Sequence, residues 1–202
     1  YSLAEEMIGK AKEAGVDAVK FQTFKTELFI SKSENDRYRQ LKKFELTYKE
    51  FERLKNVASN EGLIFISTPF DIESANFLKN IVDIMKIASG DNTFYPLIKE
   101  IAKSNLPIIL STGLVDLNQI IKTRKFIYDV WNKCGSSNDL AILHCVSSYP
   151  VQKKYANLNA ISTLIKKFSC KIGYSDHTLG INASYLAVIL GARIIEKHFT
   201  ID

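Results

Sequence analysis

Apolar runs of strand length alternate with helical segments along almost the whole chain. The predicted strands cover residues 17–22, 63–68, 84–89, 107–112, 140–145, 170–175 and 192–199, and the predicted helices cover residues 1–14, 47–62, 71–78, 93–104, 116–131, 157–168 and 182–190. Strands joined through helices run in the same direction, so this order predicts a parallel sheet covered by helices. Residues 27–46 are polar and irregular in pattern, and we expect a long loop there.

Two architectures of the α/β class satisfy that order, a closed (β/α)8 TIM barrel and an open doubly wound sheet. Polar residues follow at least six of the predicted strands, whereas an open sheet gathers them near one switch point. This distribution favours the barrel. A barrel needs eight strands and this chain begins with a helix, so we expect an incomplete barrel whose first strand lies upstream of Tyr1, and one domain over residues 1–202.

A lysine in the middle of the strand at residues 84–89 indicates where the polar groups point. Side chains alternate along a strand, so Met85 and Ile87 point to one face while Lys86 points to the other. A strand lysine is rarely buried without a partner. Polar residues interrupt the strands at 17–22 and 192–199 in the same way. The sequence therefore predicts one interior mouth to which several strands contribute polar side chains.

The composition of the chain indicates which classes of partner it can bind and where it is expected to work. The net charge of +5 is mild, and no Lys/Arg block with interleaved aromatics indicates nucleic-acid binding, so an anionic small molecule is the expected partner. No apolar run reaches the roughly 18 residues of a membrane span, and the chain opens without a signal-peptide pattern, which predicts a cytoplasmic protein that does not contact membranes. Three cysteines without CxxC spacing, at positions 134, 145 and 170, are expected to be reduced core thiols.

Two histidines end the last two predicted strands. His177 and His198 would lie on adjacent strands, close enough to share one divalent metal with open positions for substrate and water. The alternative at this stage is a pair of hydrogen-bonded histidines at a barrel mouth. His144 has no comparable partner, and we expect a core role for it.

A second group of strand-end residues suits an anion. It combines ammonium groups with hydroxyls and consists of Lys20, Thr68, Lys86, Ser89, Ser111 and Ser175. Lysines supply charge and hydroxyls supply directed donors, which together suit a phosphate and a carboxylate. Each Ser or Thr alone could simply end a strand. Gln22, Asp91 and Tyr149, at the same level, are suited to binding hydroxyls or an amide.

Seven motifs in this order resemble the barrel of the sialic acid synthase family. They are Lys20-Phe21-Gln22-Thr23-Phe24, Ser67-Thr68-Pro69-Phe70, Lys86-Ile87-Ala88-Ser89-Gly90, Ser111-Thr112-Gly113, His144-Cys145 with Ser148-Tyr149-Pro150, Ser175-Asp176-His177-Thr178 and Glu196-Lys197-His198-Phe199-Thr200. The resemblance implies a TIM barrel that condenses phosphoenolpyruvate with an N-acetylated hexose, N-acetylmannosamine or a 2,4-diacetamido analogue, to give a nonulosonic acid and phosphate.

The resemblance also implies roles for individual residues. His177 and His198 match the ligands of Mn2+, or of another divalent ion such as Mg2+ or Co2+. The six residues of the anion group match the groups that hold phosphoenolpyruvate. Gln22, Asp91, Ser147 and Tyr149 match sugar-contacting positions, with Asp91 where many members have glutamate and Ser147 where some have asparagine. Lys86, His198 and Asp91 are the expected catalytic residues.

Two parts of the family's pattern do not occur in residues 1–202. In the family, the first strand ends in a catalytic glutamate, and a C-terminal antifreeze-like domain reaches the partner subunit's site. The expected full-length protein is therefore a homodimer. Two alternatives stay open from the sequence: an inactive fragment or paralogue that binds phosphoenolpyruvate and metal, and another phosphate-handling barrel that acts as a lyase or isomerase.

Overall fold

The computed structural model describes residues 1–201, which form one parallel sheet of seven strands flanked by helices. The strands are β1 (Ala18–Thr23), β2 (Ile64–Pro69), β3 (Ile84–Ile87), β4 (Ile108–Ser111), β5 (Leu140–Cys145), β6 (Lys171–Asp176) and β7 (Ile195–Lys197). Each predicted strand is confirmed, with the largest difference at β7. It is shorter than the predicted 192–199, so His198 follows the strand instead of lying within it.

The α-helices of this part of the chain lie before, between and after the strands. They are α1 (Ser2–Glu13), α2 (Thr26–Phe29), α3 (Asn35–Phe44), α4 (Tyr48–Asn60), α5 (Ile72–Leu78), α6 (Tyr95–Lys103), α7 (Leu117–Cys134), α8 (Asn159–Lys167) and α9 (Asn182–Ile189). The side chains of Thr47, Asp71 and Asp116 cap the first turns of α4, α5 and α7. None of the helices within residues 1–201 is both long and apolar enough to span a membrane.

The strand order identifies the architecture. Every strand pairs in parallel with the next strand in the chain, in the order β1 to β7, without the reversal that defines an open doubly wound sheet. The sheet also curls. Glu196 on β7 lies 3.3 Å from Lys20 on β1 and 3.1 Å from Lys86 on β3, contacts that a flat sheet with strands about 4.8 Å apart would forbid. The predicted barrel architecture is confirmed as a curled half-barrel.

The two faces of the curled sheet carry separate apolar clusters. The larger cluster lies between the strands and the surrounding helices and includes Met85, Ile87 and Trp131. The smaller one lies inside the curve and is built from Ile66, Ile109, Ala141 and Leu143. Gly173 is needed on this inner face, because a Cβ at that position would collide with the carbonyl oxygen of Ile194, the residue just before β7.

Two sequence-based predictions are wrong. The segment at 27–46 is not a loop but contains most of α2 and all of α3, held together where Glu45 accepts hydrogen bonds from the backbone and hydroxyl of Thr26 at 2.9 and 2.6 Å. Helix α3 buries only Leu41, so it lacks the apolar stripe that would have revealed it. All three cysteines are free, but Cys134 is exposed and Cys170 only partly buried, so Cys145 alone is a buried thiol.

Candidate active site

A buried ion cluster occupies the mouth of the curled sheet. The carboxylate of Glu196 lies 3.1 Å from the ammonium of Lys86 and 3.3 Å from that of Lys20, and it accepts a hydrogen bond of 2.7 Å from the Ser175 hydroxyl. The Lys86 side chain is only 3% exposed. Three of the residues predicted to hold an anion therefore meet at one acidic side chain.

Burial and charge oppose each other in this cluster. Burial by itself would raise the pKa of Glu196, but the charges of Lys86 and Lys20 and the hydrogen bond from Ser175 outweigh it and lower that pKa to about 2. Burial lowers the pKa of Lys86, and the Glu196 carboxylate opposes that effect. Two ammonium groups face one carboxylate, which leaves the cluster with an excess of positive charge for an anionic ligand.

Further hydroxyl groups surround the cluster. Thr68 is the next-to-last residue of β2 and Ser111 is the last residue of β4, and each is 2% exposed. Neither hydroxyl makes a hydrogen bond to any residue within 1–201. A buried hydroxyl without a protein partner is an available donor for a bound ligand.

The two predicted metal ligands lie side by side. The ring centroids of His177 and His198 are 5.3 Å apart, and the ring of Tyr149 lies 4.2 Å from His177 and 5.9 Å from His198. The Nδ1 atom of His177 donates a hydrogen bond of 2.9 Å to the Val146 carbonyl, which leaves its Nε2 atom free to bind a ligand. Burial and the charge of Lys20 lower the pKa of His198 and favour its neutral ring.

A polar network fixes the loop that carries His177. The Asp176 carboxylate accepts hydrogen bonds from the Thr178 backbone at 2.8 Å and from Ser184 at 2.6 Å, and it pairs with Lys197 at 3.0 Å. The backbone carbonyl of His177 accepts a hydrogen bond from the amide of Val151 at 2.9 Å. The imidazole of His177 is thus held by rigid neighbours on both sides, as a ligand position requires.

These two imidazoles fit one shared metal ion. Imidazoles that bind the same ion at metal–nitrogen distances of about 2.1 Å have ring centroids roughly 5 Å apart, close to the spacing of His177 and His198. The hydrogen bond from His177 to a backbone carbonyl is the outer contact that orients metal-binding histidines. No group of three or more His, Cys, Asp or Glu side chains within residues 1–201 could hold an ion, so most coordination positions would belong to water and substrate.

Asp91 lies in a short 3-10 helix, Ser89–Asp91, that follows β3. Burial raises the pKa of this carboxyl to about 6. One of its oxygens is buried and lacks a hydrogen-bond partner within the described part of the chain, as does the side-chain oxygen of its neighbour Asn92. A buried polar atom without a partner is costly, so both of these oxygens are available to accept a hydrogen bond from a bound ligand.

Ser89 and Ser147 meet around Gly113. The Ser89 hydroxyl accepts a hydrogen bond of 3.1 Å from the Gly113 amide, and a Cβ at position 113 would collide with the hydroxyls of both serines. The loops after β3, β4 and β5 therefore converge, and a residue larger than glycine at 113 would push them apart.

Two residues considered in the sequence analysis do not take part in the cluster of polar side chains at the mouth. Gln22, at the end of β1, is exposed and has no side-chain hydrogen bond within residues 1–201. His144 faces away from the mouth, donates from Nε2 to the Ala156 carbonyl at 2.8 Å and stacks on Tyr174, as expected for a core histidine.

Glu196 is the site residue that sequence reasoning missed. It lies in the motif Glu196-Lys197-His198-Phe199-Thr200, and strand alternation places it on the same face as Ile194 and His198. That alternation was the available signal. The Val146 carbonyl was not predictable, because it acts through backbone geometry and not through its side-chain type.

Comparisons with known proteins agree with this geometry. The pattern of the NeuB family matches residues 7–202. The chain is 41% identical over 217 residues to the N,N'-diacetyllegionaminic acid synthase of Legionella pneumophila, covering 99% of this chain and 60% of that protein. It is 47% identical over 201 residues to an uncharacterized protein of Methanocaldococcus jannaschii, covering 99% of this chain and 58% of that protein. The chain thus spans about three-fifths of the length of these relatives.

A solved structure has the same fold. The crystal structure of an N-acetylneuraminic acid synthetase from Leptospira borgpetersenii in complex with citrate superposes with a TM-score of 0.88 at 39% identity, covering 100% of this chain and 68% of that one. Sequence, strand order and the arrangement of the mouth lead to the same assignment: the chain belongs to the NeuB family.

Proposed function

We propose that the full-length protein is a metal-dependent nonulosonic acid synthase, which condenses phosphoenolpyruvate with an N-acylated hexose and releases phosphate. The observation that carries the proposal is that the ammonium groups of Lys20 and Lys86 each lie within 3.3 Å of the Glu196 carboxylate, at a mouth that also holds two imidazoles with ring centroids 5.3 Å apart. One mouth thereby offers a site for an anion and a site for a divalent ion.

The lysines and hydroxyls suit the charged donor substrate. Lys86 and Lys20 supply charge for its phosphate and carboxylate, while the partnerless hydroxyls of Thr68 and Ser111 supply directed hydrogen bonds. Glu196 holds both ammonium groups at the mouth before substrate arrives, so the enzyme does not reorganise them during the reaction. This preorganisation fixes the enol so that its methylene carbon faces the acceptor aldehyde.

The bond changes follow from the donor's chemistry. The methylene carbon forms a carbon–carbon bond to the aldehyde carbon, whose oxygen takes a proton, and positive character develops at the phosphate-bearing carbon. Water attacks that carbon and gives up one proton, which balances the proton taken by the aldehyde oxygen. Phosphate then leaves by cleavage of the C–O bond and takes the remaining hydroxyl proton, and the carbon becomes the carbonyl of a keto acid. Lys86 and the neighbouring hydroxyls stabilise the departing phosphate. A divalent ion bound by His177 and His198 would supply a Lewis acid for the acceptor's aldehyde oxygen.

Phosphate release tests the proposal. The full-length protein is incubated with Mn2+, phosphoenolpyruvate and either N-acetylmannosamine or a 2,4-diacetamido hexose, and phosphate is measured over time. We expect release that requires acceptor, donor and metal together. Release without any acceptor, or none with either sugar, contradicts the proposal.

A further inference from the structure

Ser111 presents its hydroxyl at the mouth, although its backbone lies beyond the ladder between β3 and β4. The last residue pair of that ladder joins Ile87 to Leu110, so Ser111 lies one residue past it. Four residues earlier on β4, the Pro107 carbonyl accepts a hydrogen bond from the Met85 amide at 2.9 Å. Alternate residues of a strand bond to the same neighbouring strand, so the Ser111 carbonyl also faces the β3 side. It needs a donor from outside the ladder, because a buried carbonyl is rarely left unpaired.

Asn92 supplies that donor. Its side-chain amide nitrogen donates to the Ser111 carbonyl oxygen at 2.6 Å. Asn92 directly follows the 3-10 helix Ser89–Asp91 and is 0% exposed. The amide therefore takes the place of the strand that ended at Ile87 and fixes the end of β4. Because the Ser111 hydroxyl belongs to the same residue as this carbonyl, its position at the mouth is fixed as well.

A second layer of hydrogen bonds holds Asn92. The Thr123 hydroxyl on α7 is fully buried and donates to the Asn92 backbone carbonyl at 2.9 Å. It accepts in turn from the Gln119 side-chain amide at 3.0 Å, and the same amide donates to the Tyr95 hydroxyl on α6 at 2.9 Å. The segment after β3 is thereby tied to two helices that lie outside the sheet.

An asparagine at position 92 carries a cost. Its side-chain oxygen is buried and has no hydrogen-bond partner within the described part of the chain. An apolar side chain of similar size would avoid that cost, so packing alone does not favour asparagine here. The bond to the Ser111 carbonyl is the one hydrogen bond that this side chain makes within residues 1–201. The amide of Asn92 therefore serves Ser111.

We propose that Asn92 is a positioning residue for the anion site, which holds the Ser111 hydroxyl where it donates to bound phosphoenolpyruvate. The inference rests on the proposed function for the identity of the anion. Asn92 acts through the backbone of Ser111 and does not itself contact the ligand. Loss of its amide should weaken binding of phosphoenolpyruvate and leave Mn2+ affinity unchanged.

A double-mutant cycle tests whether Asn92 acts through Ser111. Asn92→Leu, Ser111→Ala and the double variant are made in the full-length protein, and the Kd for phosphoenolpyruvate is measured by calorimetry with Mn2+ present. Asn76→Leu is the matched control, because the Asn76 amide also donates to a backbone carbonyl, that of Ile72 at 3.1 Å, but on the exposed side of α5. Thr123→Val removes the second layer and keeps the side chain's size.

We expect each single substitution at Asn92 and Ser111 to weaken binding about tenfold. The double variant should also be weakened about tenfold, and not the roughly 100-fold that two independent sites would give, since both changes remove the same contact. Thr123→Val should weaken binding about threefold, and Asn76→Leu should match the wild type. Mn2+ affinity should stay within about twofold of wild type in every variant.

A double variant that binds roughly 100-fold more weakly would show that Asn92 acts independently of Ser111, and this overturns the inference. Unchanged affinity in Asn92→Leu does so as well. If Asn92→Leu does not fold, Thr123→Val decides, and unchanged affinity there overturns the inference. These measurements need no turnover. A wild type that binds phosphoenolpyruvate but releases no phosphate with any acceptor overturns the proposed function alone, and one that does not bind it overturns both.

Discussion

Two levels of the barrel interior lie only two residues apart along the same strands, and their chemistry is opposite. The lower level is apolar and the mouth is polar, in the pairs Ile66 and Thr68, Ile84 and Lys86, Ile109 and Ser111, and Ile194 and Glu196. A step of two residues along a strand therefore leads from a side chain that stabilises the fold to a side chain that is available to a ligand. The mouth keeps partnerless hydroxyls and one partnerless carboxylate oxygen, whereas the lower level has no polar group to satisfy.

The first prediction concerns the lower level. Leu143 is fully buried inside the curled sheet, so Leu143→Ala should lower the free energy of unfolding by about 3 kcal/mol through lost burial and a cavity. Urea denaturation of the full-length protein measures the loss. Leu3→Ala, at a residue 57% exposed on α1, is the control and should change stability by about 0.5 kcal/mol or less. If Leu143→Ala and Leu3→Ala lowered the free energy of unfolding equally, the lower level would not be the part of the interior that stabilises the fold.

The second prediction concerns the mouth. Lys86→Met removes the buried charge but keeps much of the side chain's bulk, and we expect kcat/KM for phosphoenolpyruvate to fall about 100-fold, or about 2.7 kcal/mol. Steady-state kinetics with varied phosphoenolpyruvate provide the measurement. Lys55→Met, which removes an ion pair with Asp83 on the outer surface, is the matched control and should keep wild-type kinetics. Normal kinetics in Lys86→Met would mean that the anion binds elsewhere.

The third prediction is a pH dependence at Asp91. Its folded-state pKa of about 6 lies above the ordinary value of 3.8, so the charged form is penalised by burial in the native state. That penalty is full above about pH 6, shrinks as the pH falls through the folded pKa and is absent below the ordinary pKa. Asp91→Asn should therefore stabilise the protein by about 1 kcal/mol at pH 7.5 and by nothing measurable near pH 3.8.

Chemical denaturation at a series of pH values measures this difference. Asp129→Asn, at an exposed pair with Lys125, is the control and should change stability by about 0.5 kcal/mol or less at pH 7.5. The same Asp91 substitution should reduce phosphate release, since a carboxylate kept at a cost to stability is expected to contact substrate. A gain that grows as the pH falls would have the wrong sign for a buried carboxyl.

The fold was largely predictable because its signals are local. Each strand is an apolar run, and the caps at Thr47, Asp71 and Asp116 gave the helix starts. Helix α3 was missed because it buries only Leu41, and a helix without an apolar stripe resembles a polar loop in sequence. The end of β7 was placed too late because the apolar residue Phe199 extends the alternating pattern of the strand beyond Lys197, where the pairing with β6 ends.

The site was predictable as a set of residues but not as a network. Alternation placed Lys86 inside the mouth, and the order of strands placed His177 beside His198. The convergence of Lys20, Lys86 and Glu196 depends on the curl of the sheet across several strands, which no local pattern reports.

A manganese titration followed by electron paramagnetic resonance tests the central claim most directly, namely that this mouth holds a metal at two histidines beside an anion site. We expect one Mn2+ per full-length chain, an affinity at least tenfold weaker in His177→Ala, and unchanged metal affinity in Lys86→Met, because that lysine serves the anion. The His177 substitution should leave the unfolding transition nearly unchanged, since its side chain lies at an open mouth. Wild-type manganese binding by His177→Ala would contradict the two-histidine site.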